Sequence, residues 1–164
     1  MSLAPTLVIG LGNPLAGDDG IGCRLAEALA RDPDLPEGTE VVCGGTDLLR
    51  LEDRLRDRAH VIVLDALLDD GLPGRLRTFG PDPAELRALV DAQGHAHHLS
   101  AAQALLLLRS VAGTLEGTVV VLLGITVRGA AAQLDLSPEL ADAVPRLARE
   151  VCDAIRRMTG TEMP

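Results

Sequence analysis

Aromatic side chains are almost missing from this sequence: Phe79 stands alone, with no Trp and no Tyr. Single-stranded nucleic acid is held by stacking on aromatic rings, so that platform is excluded. Basic residues are also in deficit. Fifteen Lys and Arg against 24 Asp and Glu leave a formal charge of −9, which opposes attraction to phosphate backbones and anionic membranes, so neither nucleic acid nor membrane is an expected partner. Cys23, Cys43 and Cys152 are odd in number and form no CxxC pair, so a zinc site or thioredoxin-like motif is not indicated. They read as reduced thiols in a cytoplasmic protein. No apolar run approaches membrane-spanning length, since the longest, Ala101 to Leu108, contains Gln103 and stops at Arg109. The first residues also lack the basic-then-apolar pattern of a secretory signal.

What is present is aliphatic. With 164 residues and 47% hydrophobic content, the chain is expected to form one domain over 1–164, its core built from Leu, Val, Ile and Ala. Apolar runs of strand length alternate with longer segments of helical period, which predicts βαβ units and a mostly parallel sheet in an α/β fold. Strands are expected near Thr6–Leu11, Thr39–Cys43, His60–Asp65, Arg75–Phe79 and Thr118–Gly124. Helices are expected near Asp18–Arg31, Asp47–Arg58, Ala84–Asp91, His97–Ala112 and Pro138–Met158. Pro145 should kink or restart the last helix, because it lacks an amide donor and crowds the preceding turn. The GLPG turn at Gly71–Gly74 leads into a candidate antiparallel edge strand.

Three constellations carry chemistry. The run LVIGLGNPLAGDDGIG, Leu7 to Gly22, takes a strand into a Gly-rich turn that presents Asp18 and Asp19 at a helix start. Ligands of open α/β sheets bind beyond the carboxyl ends of the strands, so these acids stand where chemistry is done. Asp18 reads as a helix N-cap, and Asp19, flanked by Gly17 and Gly20, as a carboxylate open to a hard or borderline cation. Asp65 directly follows Val61-Ile62-Val63-Leu64 at the end of a strand apolar on both faces; there it either bonds neighbouring amides or holds a metal. His95, His97 and His98 precede an apolar helix, and one imidazole of the cluster facing the same crevice would complete an open two-carboxylate, one-histidine site. Gly10, Gly12 and Gly17 do not make the dinucleotide fingerprint, whose third glycine would fall at Leu15. Cys23 reads as packing on the apolar face of its helix.

These residues resemble the hydrogenase maturation proteases. The resemblance runs through IGLGNPLAGDDGIG, GGTDLL at Gly44–Leu49, VLDALLDDGLPG at Val63–Gly74, HHLSAAQALLL at His97–Leu107, GIT at Gly124–Thr126 and the helix opening at Leu136. It implies a three-layer α/β/α sandwich with a five-stranded, mostly parallel, twisted sheet. It also implies that Asp19, Asp65 and His97 contact a metal, with Asp19 and Asp65 catalytic as in an aspartic-type or metal-dependent peptidase. His97 rather than His98 matches the family's pattern, two residues before Leu99.

The substrate implied is the precursor of a nickel–iron hydrogenase large subunit. The nickel is supplied by that precursor and serves as the recognition element, and a short C-terminal peptide is removed by a monomeric protease. Two positions depart from the family: its first-loop contact is Glu in some members where Asp19 stands here, and Thr126-Val127-Arg128-Gly129 replaces a frequent Pro and acidic residue. The departing loop is expected to bear on partner choice. Two other readings compete. A nickel-checking chaperone would use the same three residues without cutting. A peptidyl-tRNA hydrolase shares the VGLGNP-like first strand, but needs a basic surface and a His-Asn pair that this acidic chain lacks.

Overall fold

The computed structural model describes residues 4–94, 99–111, 113–129 and 133–161. Every residue of β1, Thr6–Leu11, is buried. A strand that is apolar on both faces has to be covered on both, which makes it central. It pairs in parallel with β2, Thr39–Gly45, on one side and with β3, His60–Leu68, on the other. β3 pairs in parallel with β5, Val119–Val127, and β4, Leu76–Phe79, closes the sheet antiparallel to β5. The order is β2-β1-β3-β5-β4, so the expected mostly parallel five-stranded sheet with an antiparallel edge is present.

Successive strand residues alternate between two cores. Leu7, Ile9, Val61, Val63 and Leu122 pack with Leu86 of α3 (Pro83–Gln93) and Leu105 of α4 (Ala101–Ser110). Val8, Ile62, Leu64 and Leu123 pack on the opposite face with Leu25 of α1 (Ile21–Leu29) and Val151 of α5 (Pro138–Thr159). The result is the three-layer α/β/α arrangement. Among the described residues no helix is long and apolar enough to cross a membrane.

Several boundaries differ from expectation for local reasons. The expected helix over Asp47–Arg58 is a 3-10 turn, Leu48–Leu51, and one short helical turn, α2, Glu52–Leu55. Its continuation is prevented because Arg56 is extended, Asp57 takes a φ of 60°, and Arg58 is pulled inward to Ala4 O and the Glu40 carboxylate, both at 2.7 Å. α4 begins at Ala101 because Ser100 and Gln103 form a reciprocal capping box there; residues 97, 98 and 112 of the expected helix lie outside the described residues. α5 runs through Pro145 without a break. Its strongly amphipathic face, with Leu140, Leu147, Val151 and Ile155 buried, holds the helix on the sheet despite the missing amide donor. β3 continues past the expected end at Asp65 to Leu68, because β5 still pairs with it there.

The cysteines also depart from the reading as three reduced thiols. The β1–α1–β2 unit brings Cys23 and Cys43 together, with their Cα atoms 5.0 Å apart, and they are joined as a disulfide. Twenty residues separate them in sequence, which gives no hint of the pairing. Cys152 is a free, buried thiol.

Candidate active site

The strand order reverses at β1: the chain goes outward to β2, then returns across β1 to β3. Consistent with that reversal, α1 packs on one face of the sheet, whereas Leu48 and Leu55, which follow β2, pack on the other. The two connections diverge and leave a crevice beyond the carboxyl ends of β1 and β3, the place where doubly wound sheets hold ligands. Asp19 and Asp65 both open onto a cavity of about 730 Å³ in that crevice.

Asp19 comes from the 3-10 turn Gly17–Gly20 that precedes α1. Its Oδ2 accepts a 2.8 Å hydrogen bond from the Asn13 amide, which draws the first loop back over the strand end. Glycine makes the approach possible. Gly12 has a φ of 124°, and a Cβ there would collide with the Asp19 carbonyl. A Cβ on Gly22 would run into the carbonyl oxygens of both Leu11 and Leu64, so α1 sits directly against the ends of β1 and β3.

Asp65 is placed by the sheet itself. The pairing of β3 with β1 ends at Gly10 and Leu64, so Asp65 is the first residue of β3 without a β1 neighbour, while β5 still holds it opposite Gly124. Its Oδ1 accepts a 2.9 Å hydrogen bond from the Ala66 amide, the one partner of this carboxyl among the described residues. Burial pushes the Asp65 carboxyl up to about 7; the Ala66 bond opposes the rise and the charge of Asp19 adds to it. Such a group exchanges a proton near neutrality, or is held ionised by a cation in the cavity.

Asp18 does something different from the helix capping expected of it. Neither the 3-10 turn nor α1 has a side-chain cap. The Asp18 carboxylate is buried and accepts a 2.7 Å hydrogen bond from the amide of Ser137, itself the N-cap of α5. The two adjacent acids are thereby divided, one into structure and one into the crevice.

His95, His97 and His98 lie outside the described residues. Leu99 and Ser100, immediately after them, line the same cavity as Asp19 and Asp65. Among the described residues no three His, Cys, Asp or Glu side chains form a metal cluster. The two carboxylates nevertheless match the oxygen donors that a hard or borderline cation prefers. Asp47 also lines the cavity, a residue to which the sequence reading assigned no role. Its Oδ1 accepts from Leu49 N at 3.0 Å, so an Asp before an apolar run looks like an ordinary cap.

The Thr126–Gly129 departure is largely internal. Thr126 is buried; its hydroxyl donates to Leu72 O at 2.7 Å and accepts from Arg75 N at 2.9 Å, pinning the Gly71–Gly74 turn to β5. Val127 is buried too, and Arg128 and Gly129 border a separate cavity of about 430 Å³. Asp69, beyond Asp65, is bound to the Gly71 amide and to Arg77 and stays ionised below the usual carboxylate range.

The comparisons with known proteins agree with this architecture. The family model described as "Hydrogenase maturation protease" matches residues 23–154. The hydrogenase 2 maturation protease of Escherichia coli is 35% identical over 104 residues, 63% of this chain and 62% of that protein, so the matched stretch is under two thirds of its length. Protein FrxA of Pyrococcus furiosus is 30% identical over 142 residues, 85% of this chain and 97% of that one. The solved structure of the hydrogenase maturating endopeptidase HybD from Escherichia coli superposes with a TM-score of 0.71 at 26% identity, covering 93% of this chain and 92% of that chain.

Proposed function

Because the chain belongs to the hydrogenase maturation protease family, we propose that it is an endopeptidase that removes a short C-terminal peptide from the precursor of a nickel–iron hydrogenase large subunit. The reaction takes place in the cytoplasm, on a precursor that already carries nickel, and the protease acts as a monomer. The observation that carries this reading is the shared cavity of Asp19 and Asp65 at the point where the strand order reverses.

Two carboxylates and the imidazole of His97 are three ligands for a metal that arrives on the substrate. Three ligands leave coordination positions for the precursor's own donors, which suits recognition of a metal already bound elsewhere. An empty precursor lacks the group these ligands grip and is passed over. The Asp65 carboxyl, raised to about 7 by burial, has the proton affinity to take a proton from water near neutrality, or to ligate once a cation holds it ionised. This supports an aspartic-type or metal-assisted route to hydrolysis.

Mass spectrometry of the cognate large-subunit precursor, with and without nickel, tests the proposal, with Asp19→Asn as control. Nickel-dependent loss of a C-terminal peptide, abolished by the substitution, is expected. Nickel-dependent binding without mass loss overturns the protease reading in favour of a non-cleaving chaperone.

A further inference from the structure

We propose that Cys23 and Cys43 are a reversible dithiol–disulfide pair that fastens one wall of the cleft to α1, the helix that follows the Asp19 turn, a role separate from peptide cleavage. The bridge is asymmetric. Cys23 is fully buried in the first turn of α1, four residues after Asp19, whereas Cys43 is exposed on β2, four residues before Asp47. It therefore ties α1, which follows the turn bearing Asp19, to β2, which leads into Asp47, and both acids line the 730 Å³ cavity.

The α1 side of this bridge is firmly seated. Gly10 and Gly22 are packed so closely that neither tolerates a Cβ. The β2 side is looser. β2 is an edge strand, none of its residues fully buried, and its register with β1 slips between the pairs Gly10–Cys43 and Leu11–Gly45, leaving Gly44 as a bulge. Beyond the bulge, Thr46, Asp47, Leu48 and Leu49 form the cavity wall. Apart from the disulfide, the junction is held by the Gly12 amide donating to Gly45 O at 2.8 Å and by the packing of Gly44 and Leu48 on the core. Opening the bridge frees the bulged edge and the wall that follows it, while α1 stays in place.

Both redox states have a satisfied arrangement. The carbonyl oxygens of Gly10 and Gly12 lie 3.4 and 3.6 Å from Cys23 Sγ, so a released Cys23 thiol has acceptors for its proton without moving. Exchange begins at the accessible sulfur. A thiolate of a small dithiol attacks Cys43 Sγ, breaks the Cys23–Cys43 bond and forms a mixed disulfide on Cys43. Cys23 leaves as a thiolate and takes a proton. The second thiol of the dithiol then attacks the mixed disulfide, releases Cys43 as a thiolate that is protonated in turn, and closes the reagent's own disulfide. Two electrons pass from the dithiol to the protein, and a disulfide such as oxidised glutathione reverses the step.

The test uses the full chain, oxidised, with dithiothreitol as the dithiol and no denaturant. Alkylation with mass spectrometry should modify no cysteine before reduction and Cys43 after it, with buried Cys152 unmodified throughout as the internal control. Hydrogen exchange should then show loss of protection over Gly44–Leu49 with β3 and α5 unchanged, and Cys43→Ser should show the reduced pattern with or without dithiothreitol. Reduction that requires denaturant, free Cys23 and Cys43 in the oxidised sample, or unchanged protection over Gly44–Leu49 on reduction or in Cys43→Ser, overturns the proposal. None of these readouts depends on the chain being a protease.

Discussion

Asp19 and Asp65, forty-six positions apart in sequence, open onto one cavity, and the charge of Asp19 adds to the burial that lifts the Asp65 carboxyl to about 7. One acid tunes the other. Their neighbours Asp18 and Asp69 are committed elsewhere, to Ser137 and Arg77.

Asp65→Asn should stabilise the fold at alkaline pH. The folded carboxyl holds its proton up to about 7, while the unfolded one loses it near the ordinary value of 3.8. The folded state thus binds more protons in between. The favourable contribution is full below the unfolded value and is lost as pH rises through 7. A rise of this size corresponds to roughly 4 kcal/mol as an upper bound. Urea unfolding should therefore show Asp65→Asn gaining on the parent protein between pH 4 and pH 8, with no gap at the acid end. Cleavage of the nickel-loaded precursor should be lost in the same variant.

Asp19→Asn should lower the Asp65 pKa, because it removes a like charge while leaving the burial intact. Carboxyl carbon chemical shifts followed through a pH titration measure this directly. An Asp65 midpoint unchanged or raised in the variant would show that the two carboxylates are not coupled.

Asp18→Ala should cost stability rather than chemistry. It strands the half-buried Ser137 amide, at a cost of at most about 1–3 kcal/mol, and loosens the start of α5. Thermal denaturation should detect the loss, and the Asp65 titration should be little altered. A large shift of the Asp65 midpoint would contradict the separate roles of the adjacent acids.

Gly22→Ala should destabilise by at least about 1–3 kcal/mol, the usual cost of overpacking, since its methyl meets two strand carbonyls rather than a flexible side chain. Chemical denaturation measures it. Gly45→Ala provides the contrast: nothing lies within 4 Å of the added carbon, and the cost is confined to the strain of a φ of 66°.

His97→Ala should abolish nickel-dependent processing and His98→Ala should leave it. Incubation of each variant with the nickel-loaded precursor, read by the mass of the large subunit, distinguishes the two imidazoles. Processing by His97→Ala would assign the ligand to another residue.

Much of this site is visible in the chain. The expected strand Thr6–Leu11, apolar from Leu7 onward, matches β1 end to end, because a central parallel strand is apolar on both faces and needs no context to be seen. Asp65 stood out for the same reason, as a charge at the end of Val61–Leu64. Asp47 did not, because its local bond to Leu49 N is what any capping Asp would make. The helix expected after it was cut short by Arg58, whose partners Ala4 and Glu40 are remote in sequence.

Local composition and period were thus enough to determine the α/β class, the central strands, the turn that presents the acid pair and the family resemblance. These follow from burial pattern and turn chemistry, which act over a few residues. Tertiary structure decided that Asp18 binds the Ser137 amide rather than capping its own helix, how far the Asp65 carboxyl is lifted, that Thr126 is an internal pin, and that Cys23 meets Cys43. Each depends on a neighbour brought in by strand order or helix packing. Desolvation, charge coupling and bond formation act between groups close in space, and a one-dimensional pattern does not specify that distance.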